Sequence, residues 1–260
     1  MSSIEAIILG LIQGLTEFLP VSSSGHLAIA KALFGIETSD LSFEVTVHAA
    51  TVLATIVVFR KEILHLLQGL FKFEYNDETR YVLMLCVSMI PVFVVGMFFK
   101  DYVEALFGSG LTVVAVGLFL TAFLLLLSDR LGRRSGDISY KSALWMGVAQ
   151  ACAVMPGLSR SGSTIATGLL CGVKKDQVAQ FSFLMVLVPI LGEAFLDIVG
   201  GDAAASTSGV LQLALGFAAA FVSGLFACRF MIRIVRRAKL KWFAVYCCLA
   251  AVACILIESF

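Results

Sequence analysis

Apolar positions run along this chain in long blocks rather than in alternation. Six blocks, at about 43–60, 81–99, 110–128, 178–199, 208–228 and 240–258, have the ~20-residue length that a helix needs to cross hydrocarbon. Two further blocks, 4–34 and 142–171, are interrupted near the middle by "LPVSSSGH" and "MPGLSRSGST". Proline removes a backbone donor and glycine loosens a helix, so each block predicts two half-helices joined by a loop. Half-helices of 11 to 16 residues are too short to span alone, which predicts re-entrant hairpins. Irregular backbone at that depth is tolerated only where it faces protein or a water-filled cavity. The pattern therefore predicts an all-α polytopic membrane protein: six transmembrane helices plus two re-entrant helix–loop–helix hairpins, in one membrane domain over residues 1–260.

Composition agrees with that reading. Hydrophobic residues make up 60% of the 260 and charged residues 14%, and no soluble globular class fits those shares. A net charge of +1 points to no class of partner, and nucleic acid is not expected. The seven cysteines show no CxxC spacing and read as small hydrophobes. No Lys or Arg precedes the first apolar stretch, so no cleaved signal peptide is expected.

The basic residues supply an orientation. If the end of segment 43–60 is placed on one side and the spans alternate, that side receives sixteen Lys and Arg and the other only Lys31 and Lys100, with Arg160 left inside the second hairpin. By the positive-inside rule the basic side is cytoplasmic and both termini lie outside. The broken segments also resemble each other: Gly10-x-x-Gln13 recurs as Gly147-x-x-Gln150, and Gly25 as Gly162, at an offset of 137. Each repeat, 1–128 and 140–260, is a hairpin plus three spans. Because three is odd, the second copy must be inverted, so the two tips would meet near the midplane.

The first tip offers Glu17, Ser22, Ser23, Ser24 and His26, and the second Ser159, Arg160, Ser161, Ser163 and Thr164. Hydroxyls and freed backbone donors at a helix start suit an oxyanion. Arg160 can grip a phosphate through two parallel hydrogen bonds. Glu17 can hold a divalent cation, His26 can move a proton near neutral pH, and a neighbouring serine can serve as nucleophile. The plainer readings stand beside these. Serines are common helix caps, and Glu17 with Arg160 can be a buried ion pair that joins the hairpins.

At these residues the chain resembles the undecaprenyl-diphosphatases of bacteria, also called bacitracin-resistance proteins. The resemblance rests on "QGLTEFLPVSSSGH" (Gln13 to His26) and "PGLSRSGST" (Pro156 to Thr164) and extends over nearly the whole chain. It implies hydrolysis of undecaprenyl diphosphate to the monophosphate carrier and phosphate, with a divalent metal such as Mg or Ca, in the bacterial inner membrane. That activity recycles the carrier for peptidoglycan synthesis and gives bacitracin resistance. Carried over by position, the resemblance makes Glu17, Ser23, His26 and Arg160 the catalytic core and Glu17 the metal ligand. Gln13, Ser22, Ser24, Ser159, Ser161 and Thr164 would bind substrate. Many members carry Glu where this chain has Gln13, which leaves one carboxylate fewer. "SSSGH" and a later "SR" are also similar to type-2 phosphatidic acid phosphatases, but no His shortly follows Arg160 and their upstream basic signature is absent.

The mechanism expected is attack by Ser23 on the terminal phosphorus with His26 as base, or direct attack by an activated water. An inverted-repeat transporter or lipid-carrier flippase is the rival function. The expected partners are the polyisoprenyl diphosphate and membrane lipid, with a homodimer as the assembly considered. The site is expected to open to the periplasmic side. Weaker candidates lie outside the tips: Glu44 with His48, and Glu193 with Asp197, are each four apart on a span. Leu64, Leu67 and Leu70 predict a short interfacial helix ending over Phe71 to Tyr75, and the run "RFMIRIVRRAKLKW" predicts an anchor at anionic headgroups.

The charge asymmetry predicts that single cysteines placed at Ser206 and Ser135, in a background without native cysteines, label from opposite faces of the membrane. Labelling of both from the cytoplasm would overturn the inverted arrangement.

Overall fold

The computed structural model describes residues 1–36, 41–107, 110–132, 135–200, 209–237 and 239–259, without the side chains of 41, 100, 104, 107, 188, 190–200, 236 and 237. The described residues form α-helices in this order: α1 (Ser3–Thr16), α2 (Ser23–Phe34), α3 (Leu41–Leu70), α4 (Asp77–Phe98), α5 (Lys100–Phe107), α6 (Gly110–Leu131), α7 (Tyr140–Cys152), α8 (Arg160–Leu170), α9 (Lys175–Gly200), α10 (Val210–Arg237) and α11 (Lys241–Ser259). Among them α3, α4, α6, α10 and α11 are long and apolar enough to cross a membrane. The sixth expected span, 178–199, falls within the 26-residue α9. Glu193 and Asp197 lie on its outer part, outside the described side chains.

Both broken segments fold as pairs of short helices. α1 and α2 have 14 and 12 residues, and α7 and α8 have 13 and 11. The breaks are built alike. Ser22 caps α2 by accepting from Gly25 N at 3.2 Å, and Ser159 caps α8 by accepting from Gly162 N at 3.1 Å. Each cap satisfies a backbone donor that no helical carbonyl can reach. Each cap hydroxyl also meets the serine two residues on, Ser24 at 3.2 Å and Ser161 at 3.3 Å.

One expectation is corrected. The short interfacial helix is instead the end of α3, a single helix of 30 residues. Between Arg60 and Gly69 no proline interrupts the hydrogen-bond ladder, so it continues until Phe73 takes a positive φ of 54° and Asn76 caps α4. The basic run after Cys228 begins within α10, which continues to Arg237.

The packing exchanges the two halves. α1 lies on α10, and α7 lies on α4. Both contacts depend on glycine: a Cβ at Gly10 would run into the Gly216 carbonyl, one at Gly14 into Ala220 and Ser223, and one at Gly147 into the Ser88 carbonyl. α6 packs on α11, and Leu118, Ala122, Leu125, Ala244, Cys247, Ala251 and Cys254 belong to one core. All seven cysteines are free thiols.

Outside the apolar layer, a polar clasp ties the segment before α7 to the segment after α8. Ser135 N and Gly136 N both donate to the Gly172 carbonyl, and Lys174 N donates to the Gly136 carbonyl. Lys174 Nζ reaches Asp137 at 2.8 Å and holds its carboxyl below the usual carboxylate range, helped by Gln177. The start of α7 and the end of α8 are therefore tied together.

Substituting leucine for Gly14 should push α1 off α10 and cost at least about 1–3 kcal/mol, the usual penalty for overpacking. Thermal melting of the purified variant in detergent should show a clear loss of stability. A parent-like melt would mean that the two helices do not need this close approach.

Candidate active site

The first break turns the chain so that Glu17, one residue past α1, faces back toward the start of α2. Its carboxylate is 7% exposed. Gln13 Nε2 donates to Oε2 at 2.8 Å from one turn earlier on α1, and Ser23 Oγ donates to the same oxygen at 2.6 Å. From the second break, Arg160 brings a guanidinium nitrogen to 3.8 Å from Oε1. From α3, His48 Nε2 lies 3.8 Å from Oε2. A carboxylate removed from water is costly unless paired and hydrogen-bonded, and four side chains converging from separate helices supply that compensation here.

The two tips are also joined directly. Ser161 Oγ donates to the Leu19 carbonyl at 3.0 Å, which ties the second tip to the first break. The Thr121 hydroxyl of α6 accepts from Ser159 N at 2.8 Å. Between the tips lies a narrow cleft of about 20 Å³, lined by Glu17, Thr51, Thr55, Arg160, Ser161 and Phe183 among others. That is room for about one water. A larger cavity of about 420 Å³ lies away from the tips, around Arg80, Tyr81 and Asp137. The buried carboxylate, hydroxyl and guanidinium converge at the narrow cleft and not at the larger cavity.

Ser22 and Ser159 serve as caps, and Ser24 meets Ser22. Thr164 is turned away: fully buried, it donates to the Arg160 carbonyl at 2.8 Å and pairs with Ser182 of α9 at 2.6 Å. The hydroxyl of Ser163 and both polar atoms of Gln150 are buried without a protein partner.

His26 is not placed on Ser23. Its Nδ1 lies 2.7 Å from the Ser22 carbonyl, which can only accept, so Nδ1 carries the hydrogen. Nε2 is then left as an acceptor, and it lies 2.6 Å from the Tyr246 hydroxyl on α11. The resting partner of Ser23 is therefore Glu17. Two facts account for this: the carboxylate is the stronger acceptor, and the Ser22 carbonyl turns the imidazole toward α11.

Sequence reasoning ranked His48 among the weaker candidates and passed over Tyr246, Thr51 and Thr55. His48 is aimed at Glu17 because its Nδ1 donates to the Glu44 carbonyl at 2.8 Å, one turn back on α3. Glu44 itself pairs with Lys31. The available signal was the i, i+4 spacing of Glu44 and His48 on a span. Tyr246 had only its polar tip within an apolar helix.

Comparisons with known proteins cover the whole of this arrangement. The family model described as bacitracin resistance protein BacA matches residues 6–253. The chain is 58% identical to an undecaprenyl-diphosphatase of Bacteroides thetaiotaomicron over 99% of this chain and all of that protein. It is 46% identical to an undecaprenyl-diphosphatase of Christiangramia forsetii over 98% of each. One from Carboxydothermus hydrogenoformans is 37% identical over the full length of this chain and 98% of its own. With both motif-bearing breaks inside the matched region, the chain belongs to the BacA family of bacitracin resistance proteins.

Proposed function

We propose that this protein is an integral membrane phosphatase that hydrolyses undecaprenyl diphosphate to undecaprenyl phosphate and phosphate, recycling the lipid carrier for cell-wall synthesis. One observation carries the reading: the Ser23 hydroxyl rests on the Glu17 carboxylate while Arg160 reaches the same carboxylate from the opposite hairpin. That set supplies a nucleophile, a proton acceptor and an anion clamp within one cleft. The full-length relatives, each named for this hydrolysis, support the substrate.

Arg160 sits 3.8 Å from Glu17, in a loose contact rather than a bidentate one. A diphosphate offers the guanidinium better acceptors, so substrate binding exchanges Arg160 from carboxylate to phosphate and widens the cleft. Ser23 Oγ then attacks the terminal phosphorus, its proton passes to Glu17 Oε2, and the bond to the bridging oxygen breaks. Undecaprenyl phosphate leaves. Water releases phosphate from Ser23, whose oxygen regains a proton from Glu17. The half-helices α2 and α8 point their N-termini at the reacting group, where backbone donors favour negative charge.

A divalent cation suits the donor set. Glu17 offers a hard carboxylate, and Gln13 Oε1 is a buried oxygen with no protein partner. Among the described residues no three His, Cys, Asp or Glu side chains gather, so Glu17 and Gln13 would hold Mg or Ca together with substrate oxygens and water. Bound there, the cation would supply charge neutralisation on the diphosphate.

The matching breaks and the exchanged packing of α1 on α10 and α7 on α4 support two inverted repeats with re-entrant hairpins. In that arrangement the protein lies in the inner membrane with both termini outside and the site opening to the periplasm.

The test is phosphate release from undecaprenyl diphosphate by the purified protein, alongside lipid binding. Ser23→Ala should lower turnover by at least about 10³-fold while binding survives. Arg160→Lys should lose on the order of 10²-fold in kcat/KM, because an ammonium cannot form the bidentate contact. Robust hydrolysis by Ser23→Ala would pass the attack to an activated water, and no hydrolysis by the parent with metal supplied would remove the function.

The metal is tested separately. Chelator should abolish phosphate release and added Mg or Ca should restore it, with Gln13→Leu needing more metal than the parent. Full activity in chelator would exclude the cation.

A further inference from the structure

We infer that Tyr246 is a positioning residue for this reaction, acting through His26 on the strained peptide that aims Ser23. The inference rests on Ser23 being the attacking group, as proposed above.

Ser22 is the residue before Ser23 and has φ 69°, ψ 101°. An L-residue with a side chain rarely adopts that conformation, and it persists only where the surroundings hold it. The Ser22 hydroxyl caps α2, and its carbonyl is gripped by His26 Nδ1–H at 2.7 Å. His26 is in turn fixed from outside the hairpin. The Tyr246 hydroxyl donates to Nε2 at 2.6 Å, and the two rings stack at 5.5 Å, 4° from parallel. The next residue on α11, Cys247, lies 3.5 Å from the Pro20 carbonyl in the same break.

A continuous path therefore runs from α11 through Tyr246 and His26 to the Ser22 carbonyl. The peptide after that carbonyl carries Ser23 to Glu17. Tyr246 is 46% exposed on the outer face of its helix, so a packing role alone does not account for a polar tip turned inward to the imidazole. Without its hydroxyl, the imidazole keeps the Ser22 carbonyl on Nδ1–H but loses the Nε2 partner that holds its ring angle from outside the hairpin. The Ser22 peptide then loses an external restraint, and Ser23 samples orientations away from Glu17 and the phosphorus. Small misplacements of a reacting group are costly in rate.

The decisive comparison uses Tyr246→Phe, which keeps the ring and removes the hydroxyl, in three backgrounds: parent, His26→Ala and Ser22→Gly. In the parent background it should lower kcat on the order of tenfold with little change in KM and an unchanged melting temperature. In His26→Ala it should cost almost nothing further, since the path is already cut. In Ser22→Gly the penalty should shrink, because glycine accepts this φ without restraint. Nitrogen-15 spectra of the imidazole, assigned by comparison with His26→Ala, should show an Nε2 resonance shifted by the Tyr246 hydrogen bond in the parent and moved toward the free value in Tyr246→Phe.

Parental turnover in Tyr246→Phe, or an equal penalty in all three backgrounds, would overturn the inference while leaving the phosphatase reading intact. If the parent released no phosphate, the proposed function would fail by itself. The spectra would still decide whether Tyr246 holds the imidazole, and an unchanged Nε2 resonance in Tyr246→Phe would reject it.

Discussion

The structure depends on one buried carboxylate. Glu17 sits in a chain whose surroundings are apolar, and its 7% exposure leaves water little part in its solvation. Gln13, Ser23, Arg160 and His48 replace that water from α1, α2, α8 and α3. Each of those helices must therefore arrive at one point in the interior. Removing a single partner from a buried charge costs far more than the pair is worth in net stability, so the convergence is enforced from several directions.

The repeated breaks make that convergence cheap in backbone terms. Opening a helix in an apolar setting frees donors and acceptors that must be satisfied locally. Ser22 and Ser159 solve the problem in the same way at equivalent places, and Ser24 and Ser161 then lie beside the caps. Past the caps the copies diverge. Where the first has Ser23 and His26, the second has Arg160 and Ser163 at the same offset of 137. One tip thus carries groups that can move a proton and the other carries positive charge. A diphosphate needs both, which favours two unlike tips over two identical ones.

Tight helix contacts back both tips. Gly10 and Gly14 let α1 touch α10, and Gly147 lets α7 touch α4. The clasp of Asp137, Lys174 and Gln177 joins the segment before α7 to the start of α9. Glu17, Ser23 and Arg160 therefore sit at the ends of short, closely packed helices and not on free loops. The cleft of about 20 Å³ is correspondingly closed, with Arg160 3.8 Å from Glu17 across it.

Much of this was legible in the sequence. Apolar block length gives the five helices that are long and apolar enough to span among the described residues, and Pro with Ser and Gly gives both breaks, because backbone sterics and capping act within a few residues. Glu17, Ser23 and Arg160 stood out because charge and hydroxyls are costly in an apolar run without a purpose. The extension of α3 through Leu70 was missed, since a polar stretch without a breaker keeps its hydrogen-bond ladder. The pairing of Ser23 with Glu17, the aim of His48, the turning of Thr164 toward Ser182 and the hold of Tyr246 on His26 were decided by the tertiary structure alone. Tyr246 lies 220 residues from His26, and no local spacing encodes a contact across that distance. Local sequence determined where the chain breaks and what each tip can offer. Only long-range packing decided which donor meets which acceptor, because hydrogen bonds depend on tenths of an ångström that helices set by how closely they dock.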